Sequence, residues 1–124
     1  MRFSIVVPCY NEGAYLADTI TSLRAQRFWG AWEIIVVDNN CTDDTAEIAS
    51  GLGARVVREV MQGVCNARQR GAEVSNGEII VSADADTIYP TDWLATIDES
   101  FRADHRVVAV SGPCRYTDGP LWGR

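Results

Sequence analysis

Short apolar runs alternate along the chain with segments whose apolar residues recur at helical spacing, and that alternation predicts strands and helices in turn. Phe3 to Val7, apolar but for Ser4, is a run rather than an alternation, as expected of a strand buried on both faces. Beyond Pro8 to Gly13, Leu16, Ile20 and Leu23 fall on one face of a helix. Phe28 to Trp32 reads as a turn, and Glu33 to Val37 as a second buried strand. Asp43 or Asp44 is placed to cap the next helix, which carries Ile48, Ala49 and Leu52 on its apolar face and ends at Gly51 and Gly53. Arg55 to Arg58 predicts a short third strand. Val64 to Val74 predicts a helix in which Gly71 is either a weak point or a place of close packing. Glu78 to Ser82 reads as a fourth strand that runs straight into Asp84. Pro90 opens a last helix with Trp93, Ile97 and Phe101 on one face, and Val107 to Ser111 reads as a fifth strand.

This order implies βαβ crossovers, hence an α/β fold with a mainly parallel, Rossmann-like sheet flanked by helices. In such open sheets the ligand sits beyond the carboxyl ends of the strands. The polar clusters Pro8-Cys9-Tyr10-Asn11-Glu12, Asp38 through Asp43, and Asp84-Ala85-Asp86 each follow a strand at that end. Clusters far apart in sequence are therefore expected on one rim.

Composition narrows the classes. A chain of 124 residues predicts a single domain over residues 1–124, and 47% hydrophobic with 23% charged residues is ordinary for a globular protein. The net charge of −6 argues against nucleic acid as a partner. All 11 basic residues are Arg, so mechanisms that need a lysine amine have no candidate. Cys9, Cys41, Cys65 and Cys114 form no Cys-x-x-Cys pair, which favours reduced thiols and a cytoplasmic location over zinc or a disulfide scaffold. No apolar run approaches the ~18 residues of a membrane span, and the start of the chain has no signal-peptide pattern. Asn40-Cys41-Thr42 matches the N-glycosylation pattern, which is read as coincidence in a chain without an export signal.

Asp84-Ala85-Asp86 is the sharpest candidate. In extended backbone, residues two apart point to the same side, so both carboxylates can face one point. Paired acids repel unless a cation lies between them, and oxygen-only ligands suit Mg²⁺ or Mn²⁺ bridging carboxylates to substrate phosphates. Asp38, at the end of a buried strand, can accept from the N–H of a base or from a ribose hydroxyl. Tyr10 offers a flat face for a base, and Glu12 an acceptor, in a loop stiffened by Pro8. Arg68, opening a helix, can reach a base carbonyl or a phosphate. Asp43 and Thr45 are assigned to turn and cap, Arg70 to solvent and His105 to the surface. Trp29, Trp32 and Trp93 are assigned to core or turn packing.

Together these residues resemble the family-2 glycosyltransferases, which have the GT-A nucleotide-sugar-binding fold. The matching segments are Val6 through Glu12, Ile35 through Asn39 running on to Thr45, the stretch from Gly63 to Ala67-Arg68, and Asp84-Ala85-Asp86. The resemblance implies that Tyr10 and Asp38 hold the base of a nucleotide-sugar donor, usually uracil as UDP, with Pro8 and Glu12 shaping that pocket. It implies contact of Arg68 with the base or diphosphate, Asp84 near the ribose, and Asp86 on a divalent metal, with Asp84 beside it. The implied reaction is displacement at the anomeric carbon with inversion, to an acceptor that the sequence does not name. Cys41 stands where the family usually has Ser. The family's catalytic base is expected beyond Arg124, in an acceptor-binding half that a longer chain or a partner would supply. Asp118, in a predicted turn, is not assigned that role.

Two other readings compete. A nucleotide- and metal-binding fragment without turnover would carry the same residues. A haloacid-dehalogenase-like phosphatase also places Asp-x-Asp at a strand end, but normally on its first strand and with a later Lys; here the motif follows the fourth strand and Lys is absent.

Overall fold

A computed structural model describes residues 1–113. The strands are β1 (Phe3–Cys9), β2 (Trp32–Asp38), β3 (Arg55–Arg58) and β4 (Ile79–Ser82). Between and after them come helices α1 (Gly13–Arg24), α2 (Thr45–Gly51), α3 (Val64–Val74) and α4 (Trp93–Ala103). The sheet has the order β3-β2-β1-β4, and every pairing is parallel. The α/β expectation therefore holds. The continuous apolar runs correspond to β1 and β2, the inner strands, where Ile5, Val6, Val7, Ile35, Val36 and Val37 are almost wholly buried.

The helices divide between the two faces as right-handed crossovers require. The chain steps from β1 to β2 to β3 in one direction, with α1 and α2 on the face built from Phe3, Ile5, Val7, Leu16, Ile20, Leu23 and Val36. It then reverses past β1 to β4, which puts α3 on the opposite face, where Ala67 packs with Val6, Ile35 and Val37. α4 returns to the first face through Leu94, Trp93 and Ile97. The reversal makes a topological switch point between β1 and β4, the place where open sheets bind ligands.

Several expected boundaries move. β1 continues through Pro8 and Cys9 instead of stopping at Val7. Proline fits in this inner strand because the Val6 carbonyl, two residues earlier, turns toward the β4 side, where it accepts from Ala83 N–H. Pro8 turns the same way but lies past the β4 ladder, which ends at Ser82, so its missing N–H costs no sheet hydrogen bond. Trp32 starts β2 instead of closing a turn. Trp29 is fully exposed, not packed. The last helix starts at Trp93, not Pro90: residues 90–92 form a turn in which the Pro90 carbonyl accepts from Trp93 N–H. Val107 to Ser111 is not a strand. Strand-forming composition needs a ladder partner, and among the described residues this run has none; Val108 is 91% exposed.

Candidate functional site

The loops after β1 and β2 are built as one unit. Asn11, with φ of 52°, accepts through Oδ1 from Thr42 N–H at 2.8 Å and Asp43 N–H at 3.3 Å. Its own N–H meets Cys41 Sγ at 3.4 Å, and that thiol donates to the Cys9 carbonyl at 3.4 Å. Cys41 thus replaces a hydroxyl in kind, bridging β1 to the β2 loop. Burial pushes the Cys41 thiol up, and the Cys9 thiol further. Asn40 also takes a positive φ, 66°, a conformation that Asn tolerates better than most residues. Two such residues side by side on a rim are a feature of functional loops.

Asp38 has two demands on it. Oδ1 accepts from Cys41 N–H at 2.8 Å, which is the turn-forming role, while the residue stays part-exposed at the strand end. Its neighbour Asn39 is buried, and its carboxamide fastens the next loop. Nδ2 donates to the Glu59 and Met61 carbonyls at 2.8 and 2.9 Å, and Oδ1 accepts from Gly63 N–H at 2.9 Å. Gly63, with φ of 132°, is where a side chain would be strained, and α3 starts directly after it. Asp43 behaves as assigned, accepting from Thr45 N–H at 3.1 Å and Gly13 N–H at 3.2 Å at the start of α2 and α1.

At the switch point, Ala83 and Ala85 are buried while Asp84 and Asp86 are exposed. Asp84 stands two residues past β4 and Asp86 lies in the turn that begins at Ala85, so both carboxylates are open to solvent without strand alternation placing them. Thr19, in the core of α1, donates to the Ala85 carbonyl at 2.9 Å, and Asp84 N–H donates to the Tyr89 hydroxyl at 2.8 Å. Arg68 crosses from α3 to place Nη2 3.0 Å from Asp84 Oδ1; its Nη1 is buried without a hydrogen-bond partner. Glu12 reports how closely the rim converges: burial, then the charges of Asp86, Asp43 and Asp84, raise its carboxyl above the ordinary range. Tyr10 is 55% exposed beside them.

As the parallel pairing requires, the predicted residues that follow β1, β2 and β4 lie along the carboxyl edge of the sheet, and Arg68 of α3 reaches Asp84 there. Asp118 lies outside the described residues. His105 is exposed, as expected, and Arg70 is part-buried. Asn11, Asn39, Thr19 and Tyr89 were not anticipated. The Asn residues carried a signal, since both stand just past a strand. Among the described residues no three His, Cys, Asp or Glu side chains group closely enough to hold a metal by themselves. The exposed carboxylates of Asp84 and Asp86 do fit a hard divalent cation completed by substrate oxygens.

The profile of glycosyl transferase family 2 matches residues 4–124. An uncharacterized glycosyltransferase, YibD of Escherichia coli, is 34% identical across 98% of this chain, which spans 37% of its length. TarS of S. aureus, solved in complex with UDP, matches with a TM-score of 0.79 at 24% identity, over 96% of this chain and 40% of its own; that likeness speaks to the fold. Glucosyl-3-phosphoglycerate synthase from Mycobacterium tuberculosis, solved with Mn²⁺, UDP and glucosyl-3-phosphoglycerate, matches with a TM-score of 0.67 at 30% identity. That match covers 82% of this chain and 39% of the synthase. A phosphatase finds no support in these matches. The chain belongs to glycosyl transferase family 2, and its sheet is that of the GT-A glycosyltransferases.

Proposed function

We propose, from that membership, that residues 1–124 form a donor-binding domain that holds a nucleotide sugar, first of all a UDP-sugar, through one divalent cation for inverting transfer to an acceptor. The observation that carries the reading is the pairing of Arg68 with Asp84 at the switch point, two residues before a second exposed carboxylate at Asp86. A diphosphate entering a rim of carboxylates needs a counter-charge, and a bound divalent cation supplies it while stabilising charge on the departing phosphate.

In this reading Asp86 holds Mn²⁺ or Mg²⁺, with Asp84 beside it and available to the ribose. Tyr10 stacks on the base and Asp38 accepts from it, with Pro8 and Glu12 shaping the pocket. Arg68 has the free donor to take a base carbonyl or a phosphate oxygen. The synthase solved with UDP and Mn²⁺, 30% identical over the matched part, supports the choice of donor and cation. The catalytic base is assigned beyond Arg124, on the acceptor side, and the location to the cytoplasm, in keeping with free thiols at Cys9, Cys41 and Cys65. Among the described residues no helix is long and apolar enough to cross a membrane.

Calorimetry with UDP is the test. Binding should be clear with Mn²⁺ and much weaker with chelator, and Asp86→Ala should bind as the chelated protein does. Equal affinity with and without the cation overturns the reading. Because the chain spans only about two-fifths of its relatives, a domain that binds donor without turnover is the second reading. Assaying UDP-sugar turnover on the same samples separates the two.

A further inference from the structure

We propose that Thr19 is a positioning residue for the paired carboxylates, acting from inside the core. This rests on the cation-dependent reading above and deepens it.

Helix α1 buries Leu16, Ile20 and Leu23, as an amphipathic helix should. The same side also carries polar groups. Thr19 is fully buried, Gln26 nearly so, and Ser22 lies between them. Such groups cost stability unless each finds a partner, and all three find it in one segment. Thr19 Oγ1 donates to the Ala85 carbonyl at 2.9 Å. Ser22 Oγ accepts from Tyr89 N–H at 3.0 Å. Gln26 Nε2 donates to the Pro90 carbonyl at 2.6 Å, and its Oε1 accepts from Leu94 N–H at 2.9 Å. A polar stripe with helical spacing thus grips the backbone from Ala85 to Leu94. Tyr89, held by that grip, turns its hydroxyl back to accept from Asp84 N–H.

The Thr19 contact differs from the others in what it touches. The Ala85 carbonyl belongs to the planar peptide that joins Ala85 to Asp86, so fixing that oxygen fixes the plane from which Asp86 departs. Asp84 is fixed from its other side through Tyr89. With Thr19 and Tyr89 in place the carboxylates are aimed before a cation arrives. Without the hydroxyl, part of the binding free energy goes into ordering the loop.

The test titrates Mn²⁺ into the purified chain at fixed UDP, comparing wild type, Thr19→Val and Thr19→Ser, with unfolding temperatures and uridine affinity measured alongside. Valine keeps the volume and loses the hydroxyl; serine does the reverse. Thr19→Val should raise the half-saturating Mn²⁺ concentration about tenfold, as loss of outer-shell partners of metal ligands typically does. It should leave affinity for uridine, which has no phosphate, unchanged, and Thr19→Ser should stay within about twofold of wild type. A Thr19→Val chain with the wild-type midpoint, or a Thr19→Ser chain shifted as far as the valine variant, overturns the proposal while leaving cation-dependent binding intact. If Thr19→Val does not fold, Thr19→Ala, which also removes the hydroxyl, must show the displaced midpoint, and no displacement overturns the proposal. A wild-type chain that binds UDP without regard to Mn²⁺ overturns both readings.

Discussion

Arg68 reaches from α3 to Asp84 in the loop after β4, Nη2 to Oδ1 at 3.0 Å, so one guanidinium ties the helix to the carboxylate loop at the switch point. One arm is engaged and the other, Nη1, is buried without a partner. An unsatisfied buried donor is costly, and an anionic oxygen arriving there removes the cost. Arg68→Ala should therefore weaken UDP binding in Mn²⁺ by about tenfold or more, the range for a hydrogen bond to a charged group. Arg68→Lys should not restore it fully, because an ammonium cannot serve two directions as the planar fork does. Titrated without nucleotide, Arg68→Ala should bind Mn²⁺ slightly better, by no more than about fivefold, since it removes only a part-exposed ion pair at Asp84. Opposite signs for the two ligands, read by calorimetry, are the expected signature.

Glu12 makes stability depend on pH. Its carboxyl is raised in the folded chain, first by burial and then by Asp86, Asp43 and Asp84. A group raised on folding adds stability below its unfolded value, about 4.3, and loses that contribution as pH rises through the folded value. Glu12→Gln should thus raise the unfolding temperature at pH 7 by about 2 °C and change nothing below about pH 4. Saturating Mn²⁺ should shrink the difference, because a cation offsets the same like-charge repulsion. Thermal unfolding at both pH values, with and without Mn²⁺, checks the sign.

Asn39 ties the end of β2 to the segment between β3 and α3. It is 3% exposed, and its carboxamide holds the Glu59 and Met61 carbonyls and the Gly63 N–H at once. Asn39→Ala should cost about 2–3 kcal/mol in urea unfolding, since it leaves polar groups of that loop unpaired. Asn39→Asp should be worse, because it turns a donor into an acceptor facing two carbonyl oxygens. UDP affinity should fall with both, because Gly63 begins the helix that carries Arg68.

The sequence announced the inner strands because a strand buried on both faces needs apolar residues without alternation, and Ile5–Val7 and Ile34–Val37 supply them. The rim was legible for a different reason: Asp38 ends β2 and Asp84 stands two residues past β4, which is at the edge of the described sheet and half exposed rather than buried on both faces, and parallel topology puts both on one side. Val107–Ser111 misled because β-branched composition records what a residue tolerates, not whether a neighbour strand is there to pair with it. Thr19 was invisible for a different reason. A threonine beside Leu16, Ile20 and Leu23 reads as the edge of an amphipathic face, and its partner Ala85 lies 66 residues away. Long-range pairing of a buried polar group leaves no local pattern.

Gly71 is where helix propensity and packing pull in opposite directions. Within α3, glycine costs about 1 kcal/mol relative to alanine, so propensity alone says that Gly71→Ala stabilises. The fold says otherwise. A Cβ at Gly71 would sit 2.2 Å from Val6 Cγ1 and 3.2 Å from Val37 Cγ2. Neither valine can yield easily: Val6 is 1% exposed and Val37 is wholly buried, each hemmed in by Ile35 and Ala67. Overpacking of this kind costs about 1–3 kcal/mol, enough to outweigh the propensity gain. Gly71→Ala should therefore destabilise by about 1–2 kcal/mol in urea unfolding. The penalty should fall when Val6→Ala is added, so that the double variant is more stable than the sum of the single ones predicts. Gly71→Ala should also weaken UDP binding, because lifting α3 off β1 and β2 moves Arg68 one helical turn away. A Gly71→Ala chain more stable than wild type would mean that the helix stands further from the sheet than the Val6 contact requires, and that propensity governs this position.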